Sequence, residues 1–124
     1  MLFALTAHAQ LAVTVLPMKI IGQKAIVPLA VTNNFTVQVE SARAICFLLD
    51  ENGKMIGQSA KWVIGGTKVS LPLQPRDGTA FDFVLTIPQP WTSTNLTAKV
   101  SFSRVVLDGD KLADLKKDVN IVAP

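Results

Sequence analysis

The sequence predicts an all-β fold, a β-sandwich of two antiparallel sheets with about seven or eight strands. Short segments of alternating apolar and polar residues recur at intervals of about 8–15 residues, and turn signals rich in Gly, Pro, Asn and Asp separate them. No segment has the spacing of a long amphipathic helix. The chain has 124 residues, of which 49% are hydrophobic and 17% charged. One domain with a well-filled core is therefore expected.

The clearest element is a β-hairpin over residues 43–64. Asn52-Gly53 lies between its two apolar arms, and this dipeptide accepts the positive φ angles of a type I′ turn. A two-residue turn at this point pairs Arg43 with Trp62, which predicts a cation–π contact. The same register places five apolar side chains on the face that should pack against the second sheet: Ile45, Phe47, Leu49, Ile56 and Ala60.

Two strands are predicted before the hairpin. Residues 11–16 alternate, and Pro17 ends this strand or confines it to a sheet edge. Residues 25–32 form the next strand, where Pro28 lacks a backbone donor and so requires an edge or a bulge. Its inward side chains are Val27, Leu29 and Val31. After a turn at Asn33-Asn34, the chain runs into the hairpin with a break near Glu40-Ser41.

Further strands are predicted after the hairpin. Residues 67–73 alternate strictly, and residues 79–87 and 95–107 have the same period of two. The side chains expected to point inward are Val69, Leu71, Leu73, Phe81, Phe83, Leu85, Ile87, Leu96, Ala98, Val100 and Phe102. Residues 111–118 fit either a helical turn or an irregular edge strand, and residues 119–122 form the last strand.

The first nine residues are interpreted as a signal-peptide remnant. Ala7-His8-Ala9 follows a short apolar run and has the small-x-small form of a signal-peptidase site. Cleavage there would make Gln10 the mature N-terminus of a single domain over residues 10–124, in the periplasm or outside the cell. The alternative is that residues 1–9 belong to an ordinary first strand.

Composition excludes several classes of function. With one cysteine, Cys46, no internal disulfide can form, and a buried apolar thiol is expected. The only histidine is His8, so the usual catalytic triads and most zinc sites are not expected, and the sequence predicts neither an enzyme nor a cofactor. Asp108, Asp110 and Asp114 lack the calcium-loop pattern and read as a solvated acidic turn. The net charge of +3 is scattered, which argues against nucleic-acid binding, and no later segment could span a membrane.

Trp91 is the candidate binding residue. It lies beside Pro88 and Pro90 in an extended loop between two predicted strands. Loop aromatics presented by a rigid scaffold serve as protein hot spots or as platforms on which sugars stack. The competing interpretation is a tryptophan that folds back over the end of the sandwich.

Three segments resemble bacterial extracytoplasmic immunoglobulin-like domains of the FxLYD and fibronectin-III-like kind. They are Val31-Thr32-Asn33-Asn34, Asp50-Glu51-Asn52-Gly53-Lys54, and Leu73-Gln74-Pro75-Arg76-Asp77-Gly78 ahead of an aromatic strand. The Cys–Trp–Cys pattern and the tyrosine corner of antibody domains are missing. The resemblance implies a non-enzymatic immunoglobulin-like β-sandwich that contacts an unknown protein partner in the cell envelope. The alternative is a small carbohydrate-binding module that uses Trp91 on a glycan.

Overall fold

The computed structural model describes residues 10–68, 70–87 and 95–123, so the predicted signal remnant at residues 1–9 lies outside the described residues. In the described part, the strands are β1 (Leu11–Val15), β2 (Lys19–Ile21), β3 (Lys24–Asn33), β4 (Val39–Leu49), β5 (Met55–Ile64), β6 (Gly78–Thr86), β7 (Thr97–Leu107), β8 (Lys111–Leu112) and β9 (Val119–Val122). A 3-10 turn, Asp108–Asp110, joins β7 to β8.

The strands form two sheets, and the predicted all-β sandwich of two sheets is confirmed. In the 5-stranded sheet, β6 pairs with one edge of β3, β1 and β2 share its other edge, and β9 pairs with β1. The 4-stranded sheet has the order β5-β4-β7-β8. All these pairings are antiparallel except that of β1 with β9, which is parallel. The described residues form more strands than the seven or eight predicted, because β2 and β8 are too short for alternation to predict them.

Alternating side chains from the two sheets meet in one core. The first sheet contributes Val13, Val27, Leu29, Phe83 and Leu85, and the second contributes Ala44, Cys46, Leu48 and Phe102. Each fully buried Val, Leu or Phe stabilises the fold by about 1.5–3 kcal/mol relative to exposure. The inward positions predicted for β3 and β6 are confirmed, except that Phe81 is only half-buried.

The sequence predicts an edge or a bulge at Pro28, and the structure has a local edge there, because β1 pairs only as far as Leu29 and β2 only from Ile26, while the β3–β6 ladder continues through Pro28 without a register shift. The Leu16 N–H donates to the Pro28 carbonyl oxygen at 2.9 Å, so the backbone of Pro28 faces β1 and β2. Opposite it, β1 has ended at Val15 and β2 begins only at Lys19. The chain therefore bows out where proline has no hydrogen to donate.

The turn of the hairpin differs from the predicted type I′ turn. The Asp50 N–H donates to the Lys54 carbonyl at 2.9 Å, and the Gly53 N–H donates to the Asp50 carbonyl at 3.0 Å. Gly53 has a φ of 79°, and it is the only residue of this loop with a positive φ. These features define a three-residue loop, a type I turn followed by a left-handed glycine. The Asp50 carboxylate favours it by accepting hydrogen bonds from the N–H groups of Asn52 and Lys54, both at 2.9 Å.

The predicted register holds along the arms, but the predicted inward face is wrong for β4, and of the five residues predicted to face inward only Ile56 packs against the core. Arg43 pairs with Trp62, and Phe47 pairs with Gln58, as expected, whereas a bulge near the tip pairs Leu49 with Met55. The buried residues of β4 include Ala44, Cys46 and Leu48, while Ile45, Phe47 and Leu49 lie half-buried on the outer face. Both faces of β4 are apolar, so alternation alone did not determine which one faces the core.

The strand predicted over residues 67–73 is also wrong. Within the described residues of this segment only Leu73 pairs, through two 2.9 Å backbone hydrogen bonds with Val39, and Leu71 is 79% exposed. Val69 lies outside the described residues. Gly65 and Gly66 precede the segment with φ angles of 56° and 75°, which end β5 and redirect the chain.

Residues 111–118 combine the two alternatives left open by the sequence. Lys111 and Leu112 pair with β7 as β8, and a single helical turn follows, closed by the Asp118 N–H on the Asp114 carbonyl at 2.7 Å. The Asp114 carboxylate accepts hydrogen bonds from the N–H groups of Lys116 and Lys117. No group of three possible metal ligands occurs among the described residues. Across the same ranges, no helix is long and apolar enough to cross a membrane.

Candidate functional site

The predicted site residues Trp91, Pro88 and Pro90 all lie outside the described residues. Their role in binding stays a prediction. The other tryptophan, Trp62, is half-buried on β5, and its ring lies 5.5 Å from the Arg43 guanidinium carbon, which confirms the predicted cation–π pair.

The outer surface of the β5-β4-β7 sheet has the strongest features of a binding surface. We call it the basic face and define it by Arg43, Ile45, Phe47, Leu49, Trp62, Lys99 and Arg104. Three apolar side chains of β4 form a row on this outer surface, and each is half-buried: Ile45, Phe47 and Leu49. An apolar row that is only half-buried can bury more surface against a partner.

Cations border the apolar row of the basic face. Arg43 lies directly opposite Arg104 on β7, and Lys99 lies opposite Phe47. Like charges directly opposite each other in a sheet are destabilising. None of these three cations forms an ion pair with a carboxylate of the described residues. A partner that brings carboxylates to this face would therefore remove a repulsion as well as gain an attraction.

A β-bulge places Arg104 on the outer surface. Arg43 pairs with Arg104 while Ala44 pairs with Phe102, so Ser103 is the extra residue of β7. The Ser103 hydroxyl donates to the Arg43 carbonyl at 3.3 Å. The sequence analysis missed this bulge. The available signal is the three-residue separation of Phe102 and Val105, which are both buried, because a regular strand separates inward residues by two.

Cys46 has the structural role expected for it. Its side chain is fully buried in the core, and burial raises the pKa of the thiol to about 11. The thiol therefore stays protonated at neutral pH, and the nucleophilic thiolate is not available.

An apolar groove of about 580 Å³ lies on the outer side of the other sheet, above the gap between β1 and β2 opposite Pro28. Its lining includes Leu16, Ile21 and Ile26, with Lys19 and Asp82 as the charged members. One charge of each sign gives this groove no electrostatic preference. The basic face, in contrast, favours one sign of partner.

Comparison with known proteins gives little further information. No family model and no curated protein matches this chain. Among solved structures, it is similar to a glycosyl hydrolase family 2 (GH2) member from Bacteroides cellulosilyticus DSM 14838, at 18% sequence identity and a TM-score of 0.47. The likeness covers 82% of this chain and 14% of that protein. A similarity at this level carries no conclusion about what this chain binds.

Proposed function

We propose that this chain is a non-enzymatic, extracytoplasmic immunoglobulin-like module that works by protein–protein contact or assembly in the cell envelope. The observation that carries the proposal is the basic face, where Arg43 and Arg104 lie at one end of an apolar row and Lys99 lies beside its middle. Arginine and tryptophan are enriched among the residues that dominate binding energy at protein interfaces. The partner expected from this chemistry is a protein surface with apolar residues flanked by carboxylates.

Protein is favoured over an anionic membrane as the partner. The apolar side chains of the basic face are half-buried within a sheet, whereas membrane-surface binding uses an amphipathic element whose apolar side chains reach well below the headgroups. The non-enzymatic part of the proposal rests on the sequence, because the only histidine falls within the predicted signal remnant.

The test combines capture with a charge reversal. The purified chain is immobilised, a protein is captured from an envelope extract and identified by mass spectrometry, and its affinity is then measured with purified components. Arg104→Glu is compared with Lys24→Glu, which makes the same charge change on the outer face of the other sheet. We expect Arg104→Glu to weaken binding by about tenfold or more and Lys24→Glu by less than about twofold.

Two results would reject the proposal. Equal losses for the two variants would mean that net charge, and not the basic face, determines binding. Tight binding to vesicles of anionic phospholipid, sensitive to Arg104→Glu, with no protein that survives purification, would assign the face to a membrane.

A further inference from the structure

One edge of β7 pairs with β4, and the other edge faces away from it. The Asp50 N–H donates to the carbonyl of Lys54, just before β5, so the backbone groups of Asp50 face β5. Backbone groups alternate in direction along a strand, so those of Leu48 and Cys46 also face β5 and those of the residues between them face β7. Leu49, Phe47 and Ile45 direct theirs toward β7, where they pair with Thr97, Lys99 and Ser101. The residues between these three on β7 must direct their N–H and C=O groups to the opposite edge. They are Ala98, Val100 and Phe102.

That edge has no partner strand in the part of the chain that the structure describes. β8 pairs only with Val106 and Leu107, and one further bond runs from the Ala113 N–H to the Val105 carbonyl at 2.9 Å. The last strand, β9, pairs with β1 in the other sheet and does not continue the β7 ladder. Among the described residues, no strand therefore pairs with the outward backbone groups of Ala98, Val100 and Phe102.

An apolar cleft lies beside the same edge. Its volume is about 190 Å³, and Leu96, Ala98, Met18 and Ala123 are among its lining residues. Val100 on β7 and Ile121 on β9 are only partly buried although they pack against the core. A strand added beside β7 would cover these side chains with every second residue of its own.

Charge determines what the other side chains of that strand should be. Lys99 is an exposed residue of β7 on the basic face, and Arg104 follows at the bulge. The alternate residues of an added strand would lie next to these cations. Carboxylates at those positions would form cross-strand pairs of opposite charge.

We infer that the free edge of β7 binds an extended peptide segment of a partner protein, as an added β-strand with alternating apolar and acidic residues. Its apolar side chains enter the cleft beside Ala98 and Val100, and its carboxylates lie beside Lys99 and Arg104. This mode of recognition takes its affinity from main-chain hydrogen bonds and its selectivity from the alternating side chains. The inference rests on the proposed function, because it specifies how a partner reaches the basic face.

The first measurement is amide hydrogen exchange of the free chain. The amides of Lys99 and Ser101 should be protected by β4, and those of Ala98, Val100 and Phe102 should exchange much faster. Adding a labelled peptide of about eight residues that alternates Val and Glu should then protect these three amides. Protection of the three amides in the free monomer would mean that the chain covers its own edge, and would overturn the inference. Protection that rises with protein concentration would assign the edge to a second copy and overturn it as well.

The second measurement uses a proline variant with a matched control. Ala98→Pro removes an N–H that β4 does not use, and its ring obstructs an approaching strand. Ala80→Pro is the same change on β6. The Asn33 N–H donates to the carbonyl of Asp77, so the backbone of Asp77 faces β3. Backbone groups alternate in direction along a strand, so Ala80, three residues later in an unbroken ladder, directs its N–H away from β3. We expect Ala98→Pro to weaken peptide binding by about tenfold and Ala80→Pro by less than about twofold. Equal affinities for the two variants would overturn the inference.

Reversing the charge of Lys99 distinguishes a loss of binding from a loss of folding. Lys99→Glu should weaken binding of the Val–Glu peptide and strengthen binding of a Val–Lys peptide, which a misfolded variant could not do. Failure of this swap would overturn the acidic assignment. The outcomes also separate this inference from the proposed function. If Arg104→Glu weakens binding of the captured protein and Ala98→Pro leaves it unchanged, contact at the basic face stands and strand addition is wrong.

Discussion

Asn33 is the residue whose replacement tests the fold most sharply. It is fully buried, and its side chain connects three backbone groups. The Nδ2 group donates to the carbonyl oxygens of Leu73 at 2.9 Å and Val37 at 3.0 Å, and Oδ1 accepts from the Phe35 N–H at 2.8 Å. These bonds tie the end of β3 both to the following turn and to the segment that bridges β4.

Asn33→Ala removes all three hydrogen bonds at once. The Phe35 N–H is buried, and it would be left without a partner at a cost of about 1–3 kcal/mol. The Leu73 carbonyl keeps its other hydrogen bond, from the Val39 N–H at 2.9 Å, so it loses one of two bonds at a net cost of about 0.5–1.5 kcal/mol. Val37 is 38% exposed, so its carbonyl can turn to water. The expected loss of unfolding free energy is about 1.5–4.5 kcal/mol, a large share of the roughly 5–15 kcal/mol typical of a whole domain.

Asn33→Asp keeps the shape of the side chain and adds a carboxyl group that can ionise. An aspartate keeps the acceptor for Phe35 but points its second oxygen at two carbonyl oxygens, so the folded state favours the protonated acid and its pKa should rise above the unfolded value of about 3.9. A raised folded pKa means that stability is highest at acid pH and falls as pH rises through the folded pKa. Asn33→Asp should therefore be closer to wild type at pH 4 than at pH 7.

Urea unfolding followed by tryptophan fluorescence measures these losses, and Asn34→Ala is the matched control because Asn34 is exposed. The control should stay within about 0.5 kcal/mol of wild type. The reasoning is refuted if Asn33→Ala costs no more than the control, or if Asn33→Asp has the same deficit at both pH values.

Four further outcomes are expected. Gly53→Val should cost about 1–3 kcal/mol, because its φ of 79° is strained for a β-branched residue; an unchanged melting temperature would contradict this. Phe83→Ala should cost about 3–5 kcal/mol, and Val84→Ala, at a 48% exposed side chain, less than half of that; equal losses in urea would contradict a sheet with one wet face. Expressed with its full upstream sequence, the chain should leave the cytoplasm beginning at Gln10, which intact mass would test. A saturable fluorescence shift with a glycan panel, lost in Trp91→Ala, would favour the carbohydrate alternative.

The strands that the sequence predicted best are those with one wet face. In β6, Phe83 and Leu85 alternate with Asp82 and Thr86, and the polar residues identify the solvent side. Pro28 was equally informative, since its missing donor predicted an edge or a bulge, and β3 has a local edge there between its pairings with β1 and β2. In both cases the chemistry of one residue type allows few positions in the fold.

The failures came from features that depend on distant contacts. Residues 67–73 alternate like a strand, yet only Leu73 finds a partner, since the glycines after β5 redirect the chain. The structural role of Asn33 was equally hidden, because its partner Leu73 is 40 residues away in sequence. Turn chemistry predicts that a residue ends a strand, but it does not predict that its side chain will hold two segments together.

The misassigned face of β4 and the candidate binding surface have the same origin. Apolar side chains at positions 45, 47 and 49 were expected in the core, but they share their parity with Arg43, whose charge favours the outer surface. The other parity, Ala44, Cys46 and Leu48, carries no charge and is the one that the core buries. The charge of Arg43 therefore indicated that the apolar row lies on the outer surface. An apolar row that alternation places on the same face as an arginine is better read as an interaction surface than as a core.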